Sequence, residues 1–172
     1  MMQRNAPRQI RRTVLIVGEG LAEVEFLTHL RALYTAGQQG CRLTVKNARG
    51  RGAGHVVKHA IGQRAQASYD RAAAMLDTDT DWTVATQTLA RRNNIKVLAC
   101  DPCLEAWLLR LAGERLREGV DAGEAKARFA VLFGGGAHDN GVIARHFTRE
   151  VLDAAAINDP LLSDLFDLIL NW

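Results

Sequence analysis

The chain has 172 residues, 48% of them hydrophobic and 24% charged, with a formal net charge of +3. That length suits one domain with a sizeable core of its own, and the composition carries no sign of global disorder. No apolar run approaches the ~20 residues of a membrane span, and the basic stretch 1–12 lacks the apolar segment of a secretory signal, so a cytoplasmic protein without a membrane partner is expected.

In chain order, 13–17 (TVLIV) reads as a buried strand stopped sharply by Gly18-Glu19-Gly20. Apolar residues at helical spacing follow over 21–36, closed by Gly37 and Gly40. A short alternating strand is expected at 42–46, then a Gly-containing loop at 50–54 and a helix over 55–68. The stretch 71–77 gives a third strand delivering Asp77; its AAAML run is poor in strand formers, so the reading rests on position and ending. Asp81 is expected to cap a helix over 82–93, and 95–100 (IKVLAC) is a fourth strand. Pro102 then stands near the start of a helix containing 104–111. Strands alternating with helices predict a mainly parallel sheet covered on both faces. Beyond Gly119, helices are expected at 122–132, 141–155 and 160–170, packed onto the sheet within the same domain.

Three cysteines, Cys41, Cys100 and Cys103, are too few and too odd for a disulfide framework. The Cys100–Cys103 CxxC lacks the second pair a zinc site needs. A redox pair and two small buried side chains are its two readings.

In a parallel sheet the carboxyl ends of the strands point one way, and ligands bind in the crevices there. Glu19 follows the first strand and Asp77 ends the third, with Asp79 and Asp81 alternating after it on one face of extended chain. If those two strands are neighbours the carboxylates converge, and converging carboxylates call for a cation such as Mg²⁺ (or Mn²⁺), which uses few protein oxygens. The competing reading is an Asp-rich turn, and for Glu19 a carboxylate at the positive end of a helix. Glu23 lies one turn beyond Glu19 and on its face. Between Asn47 and Lys58 the loop NARGRGAGHVVK, with Lys46 before it, gathers Lys46, Arg49, Arg51, His55 and Lys58. Arginine forks and open Gly backbone suit phosphate, so this is the expected nucleic-acid-binding element; a merely solvated loop is the alternative. The Walker pattern GxxxxGK[ST] is absent, which argues against ATP hydrolysis by this chain alone.

Val14-Leu15-Ile16-Val17-Gly18-Glu19-Gly20, followed by Met75-Leu76-Asp77-Thr78-Asp79, resembles the Toprim domain of topoisomerases, primases, small ribosomal-RNA maturases and OLD nucleases. Asp101-Pro102-Cys103-Leu104-Glu105-Ala106-Trp107-Leu108-Leu109 is similar to the Asn-Pro-Cys-x-Glu-x-Trp-Leu-Leu signature of RloB-like proteins, small Toprim proteins found near bacterial restriction and phage-defence genes. The three motifs, in the family's order, cover roughly 13–111; Cys100 and Asp101 stand where that family usually has Ser-Asn. The resemblance implies a Toprim-like Rossmannoid α/β fold in a single domain, 1–172, with a core at about 13–111 and a helical extension at about 120–172. It implies metal or acid–base chemistry for Glu19 and Mg²⁺ binding by Asp77 and Asp79.

Glu105, early in the fourth helix, is read as a further ligand, as a base orienting water, or as a first-turn carboxylate. Trp107 belongs to the core or stacks on substrate. His138 and Asp139 have a capping role or a site role. Glu19, Glu23 and Glu105 are thus the expected catalytic set, and Glu19, Asp77, Asp79 and Asp81 the expected metal set. The implied activity is a Mg²⁺-dependent nuclease cutting DNA or RNA in phage defence or restriction; the alternative is a non-catalytic module binding nucleic acid or a separate ATPase.

Overall fold

In the computed structural model, which describes residues 11–35, 41–79 and 81–171, strands and helices alternate as β1 (Thr13–Gly18), α1 (Leu21–Tyr34), β2 (Arg42–Asn47), α2 (Ala53–Gln66), β3 (Arg71–Asp77), α3 (Val84–Arg92), β4 (Lys96–Cys100) and α4 (Leu104–Leu111). The strands form one all-parallel sheet in the order β2-β1-β3-β4. Along β1, Val14 and Ile16 face one core while Leu15 and Val17 face another, as the period of a doubly covered strand requires. The Ala run of β3 is central, flanked by β1 and β4, and 72–77 is wholly buried. Its small side chains let Val56, Val57 and Ala60 of α2 pack closely, so position in the sheet outweighs the poor strand propensity of Ala.

The chain steps outward from β1 to β2 through α1, then returns past β1 to β3 and β4 through α2 and α3. Phe26, Leu27 and Leu30 of α1 pack on one face, while α2 and α3 pack on the other. The winding therefore reverses between the carboxyl ends of β1 and β3, where the connecting segments diverge and open a crevice.

The later helices are α5 (Ala122–Phe133), α6 (Val142–His146), α7 (Arg149–Ala156) and α8 (Pro160–Leu170). Phe129, Ile143, Phe147, Leu152 and Leu165 join the core of α1 and α4. Arg71, at the start of β3, clamps the last of them. Its Nη1 donates to the carbonyls of Asp167 (2.8 Å), Leu168 (3.3 Å) and Asn171 (2.7 Å) at the carboxyl end of α8. A cation there satisfies orphan carbonyls and opposes the negative helix end. Arg71→Met, which keeps the apolar stem, should lower unfolding stability by about 1–2 kcal/mol in urea titration; an unchanged midpoint would mean the clamp is idle.

Two expectations need correction, and two open readings close on the buried alternative. The helix expected over 141–155 is two, α6 and α7. Phe147 leaves helical geometry (φ −109°, ψ 66°) to bury its ring, its carbonyl accepts from His29 Nε2 at 2.7 Å, and the Thr148 hydroxyl caps α7. Asp81 does not cap α3; Thr83 does, accepting from the Thr86 amide. Trp107 is core: it is 3% exposed, meets Phe26 edge-on at 5.2 Å, and its indole N–H donates to Asp159. Cys100 and Cys103 are fully buried, and burial first, then nearby carboxylates, pushes both thiols up, Cys103 to about 12. Such thiols are inert, which leaves the reading of two buried side chains. The end of the first helix at Ala36 with its closing Gly37 and Gly40, and residues 1–10 of the basic stretch, lie outside the described residues. No helix among the described residues is long and apolar enough to cross a membrane.

Candidate functional site

The convergence expected of Glu19 and Asp77 follows from β1 pairing directly with β3. Gly18 stands opposite Met75, the Glu19 amide donates to the Met75 carbonyl at 3.0 Å, and Glu19 Oε2 accepts from the Asp77 amide at 3.1 Å. Where the ladder would continue, a side-chain carboxylate thus takes its place over the end of β3. Gly18 permits the tight turn into α1: a Cβ there would stand 2.8 Å from that of Glu23.

Glu23 lies below, 4% exposed, with Oε2 accepting from the Gly20 amide at 2.8 Å across the first turn of α1. Asp77, 8% exposed, accepts from the Leu104 amide at 2.9 Å and so caps α4 from the end of β3. Glu105 is 6% exposed. These side chains and Glu19 line a cleft of about 610 Å³, with Lys126 of α5 and His138 on its far side.

The electrostatics follow from that crowding. Burial first, then the charge of Glu23 and that of Glu19, push Asp77 up to about 8, against the pull of the Leu104 amide. Burial raises Glu19, the Asp77 amide holds it back, and Asp79 and Asp81 add to the rise. Glu23 is raised by burial, with Glu105 and Glu19 contributing. For Lys126 burial works downward but is outweighed by Glu105 and Asp77, so its ammonium is held above its ordinary value. Closely set, half-desolvated carboxylates favour either protons or a cation.

Asp79 is exposed, and its charge reaches Glu19. Its amide donates to the Pro102 carbonyl at 3.2 Å, and beside it the Thr78 hydroxyl donates to Asp101 at 2.6 Å, which ties the loop after β3 to the loop before α4. Asp81 has a different duty. Its two oxygens accept from the amides of Ala53 (2.6 Å) and Gly54 (3.3 Å) at the start of α2. Gly52 (φ 79°) makes this possible, since a Cβ there would stand 2.5 Å from Asp81 Oδ1. The charge of Asp81 still reaches Glu19, but its oxygens are committed to α2.

The basic loop adjoins the site through the backbone. The Ala48 amide donates to the Gly18 carbonyl (2.9 Å) and the Gly50 amide to the Glu19 carbonyl (2.7 Å). Lys46, Arg49, Arg51 and Lys58 are exposed, whereas His55 is spent in part on bracing the loop, its Nε2 donating to the Ala48 carbonyl at 3.1 Å. Arg49→Ala and Arg51→Ala should each weaken nucleic-acid binding and reduce the log–log salt slope by roughly one. Salt titrations identical to wild type for both variants would reduce the loop to a solvated connection.

Sequence reasoning missed Lys126, which nothing marks until α5 is docked, and His59. The latter lies one turn beyond His55 (ring centroids 6.1 Å apart), and that i, i+4 spacing was a usable signal. Burial, then His55, Lys46 and Arg49, hold His59 below its ordinary value, so it marks the local positive field. No protein-family model, curated protein or solved structure matches the chain.

Among the described residues no three His, Cys, Asp or Glu side chains stand together as a ready coordination shell. The donors facing the cleft are nonetheless hard carboxylate oxygens in excess of local positive charge. Mg²⁺ and Mn²⁺ suit such donors, and Mg²⁺ needs only one or two of them beside water and phosphate. The donor chemistry fits such a cation, which Glu19, Asp77 and Asp79 would hold.

Proposed function

We propose that the chain is a metal-dependent phosphodiesterase of the Toprim, RloB-like kind, cutting DNA or RNA at the crevice between β1 and β3. The observation that carries this reading is the pairing of β1 with β3, which sets Glu19 over Asp77 beside Glu23 and Glu105. Bound by Glu19, Asp77 and Asp79, Mg²⁺ would polarise the phosphoryl group and lower the pKa of the attacking water. Glu105, which lines the same cleft, would take that water's proton. Glu23 holds the first turn of α1, and with it the backbone of Gly20 beside Glu19. The arginines of the loop after β2 hold the phosphates of the strand and offset their charge.

A second reading, a non-catalytic module binding nucleic acid or an ATPase, draws on one observation: Glu19, Glu23, Asp77 and Asp81 each accept from a backbone amide and so have structural work. Thermal denaturation with and without Mg²⁺ or Mn²⁺ tests the first reading. Metal at a hundred times its dissociation constant stabilises by about 2.7 kcal/mol, a rise of several degrees. The double variant Asp77→Asn, Asp79→Asn keeps the Leu104 cap and should lose that rise; an unchanged response would sink the metal assignment.

A further inference from the structure

We infer that the cleft takes an unpaired nucleotide, and hence that single-stranded rather than duplex nucleic acid is the substrate; this rests on the nuclease reading above. Three observations converge. First, the carboxylates lie at the floor of the cleft, Glu23 at 4%, Asp77 at 8% and Glu105 at 6% exposed. A scissile phosphate must therefore descend between α1 and α5 to reach them, which a flexible single strand does and a stiff, convex duplex does not. Glu105, 6% exposed, lines the same cleft and turns its carboxylate to whatever enters it.

Second, the rim of the same cleft is apolar. Leu21, the first residue of α1, is 63% exposed although it shares the cleft with four carboxylates, and Ala22 and Ala130 line it too. A large aliphatic side chain left in water at the lip of a charged cleft offers a ledge for a flat apolar surface. Nucleobases have such faces, but a duplex hides them in its stack; only an unpaired base presents one. Third, Lys126 faces the floor from α5, and the basic loop adjoins the carboxylates through its backbone, the Gly50 amide donating to the Glu19 carbonyl. A strand crossing the cleft meets positive charge, with one base seated on Leu21.

The test uses the full chain in EDTA, with labelled single-stranded DNA, single-stranded RNA and blunt duplex of one sequence, read by fluorescence anisotropy. At least one single strand should bind about tenfold tighter than duplex. Leu21→Ser, at an exposed position, should remove most of that preference without changing the melting temperature, and Leu21→Phe should restore or strengthen it. The DNA and RNA arms show which sugar the cleft prefers. Equal affinity of wild type for single strand and duplex, full single-strand affinity in Leu21→Ser, or no binding of any of the three overturns the inference. Cleavage with Mn²⁺ separates it from the reading beneath. Duplex cut as fast as single strand removes this inference and leaves the nuclease standing; a Leu21-dependent single-strand preference without cleavage by wild type supports the ledge and removes the nuclease.

Discussion

Glu19→Gln should abolish cleavage while nucleic acid still binds. The substitution keeps size and an acceptor for the Asp77 amide, so the junction of β1 and β3 survives. It removes the negative charge that Glu19 contributes to a site already crowded by Asp79 and Asp81. If that charge holds a cation or a proton only as the phosphoryl group reacts, its loss amounts to ~3 kcal/mol of transition-state stabilisation, about a hundredfold or more in rate. Affinity should persist because, on this proposal, the exposed Arg49 and Arg51 would supply most of it. One cleavage assay with Mn²⁺ and one binding assay in EDTA, run on both proteins, settle the point. Cleavage by Glu19→Gln at the wild-type rate would falsify the assignment.

Asp77→Asn should stabilise the metal-free protein, increasingly as pH rises. Asp77 is raised to about 8 from an ordinary value of 3.8, so between these pH values folding takes up a proton. Its favourable contribution is complete below the unfolded value and lost as pH climbs through the folded one. Glu19 and Glu23 are raised too and act in the same direction. Asparagine stays neutral throughout and still accepts from the Leu104 amide. The advantage of the variant should be small near pH 4 and reach at least about 2 kcal/mol near pH 9, roughly 4–8 °C in melting temperature. Saturating Mg²⁺ should reverse the order, because the cation then takes the place of the proton in wild type. A gap between the two proteins that is flat from pH 4 to 9 would show that Asp77 ionises without penalty.

Glu19 and Asp77 were legible in the sequence because the cues are local: a β-branched run cut by Gly-Glu-Gly, and an apolar run ending in Asp-x-Asp. Their meeting was not, since the order β2-β1-β3-β4 depends on pairings between distant segments. The helix caps were hidden for the same reason. Asp77 serves α4 across 27 residues and Asp81 serves α2 across 28, so a reading that looks three residues ahead finds Thr83 or nothing. The break at Phe147 escaped because a buried ring fits a helical pattern as well as it fits a kink. Lys126 sits in an ordinary surface-looking helix, and only the packing of α5 on α4 turns it toward the carboxylates.

The seam between the sheet-bearing part and the later helices has a practical meaning. Phe129, Phe147 and Leu165 interlock with Phe26, Trp107 and Leu108 in one core, and α5 forms the far wall of the cleft. A recombinant fragment cut after Leu111 would bare that core to water and leave the floor of the cleft as an open shelf. Moving this cleft into another scaffold therefore means carrying residues 13–170 as one piece. Tags and fusions are better tolerated beyond those limits than at the junction near residue 115, where Arg128 of α5 donates to the Arg115 carbonyl at 3.0 Å.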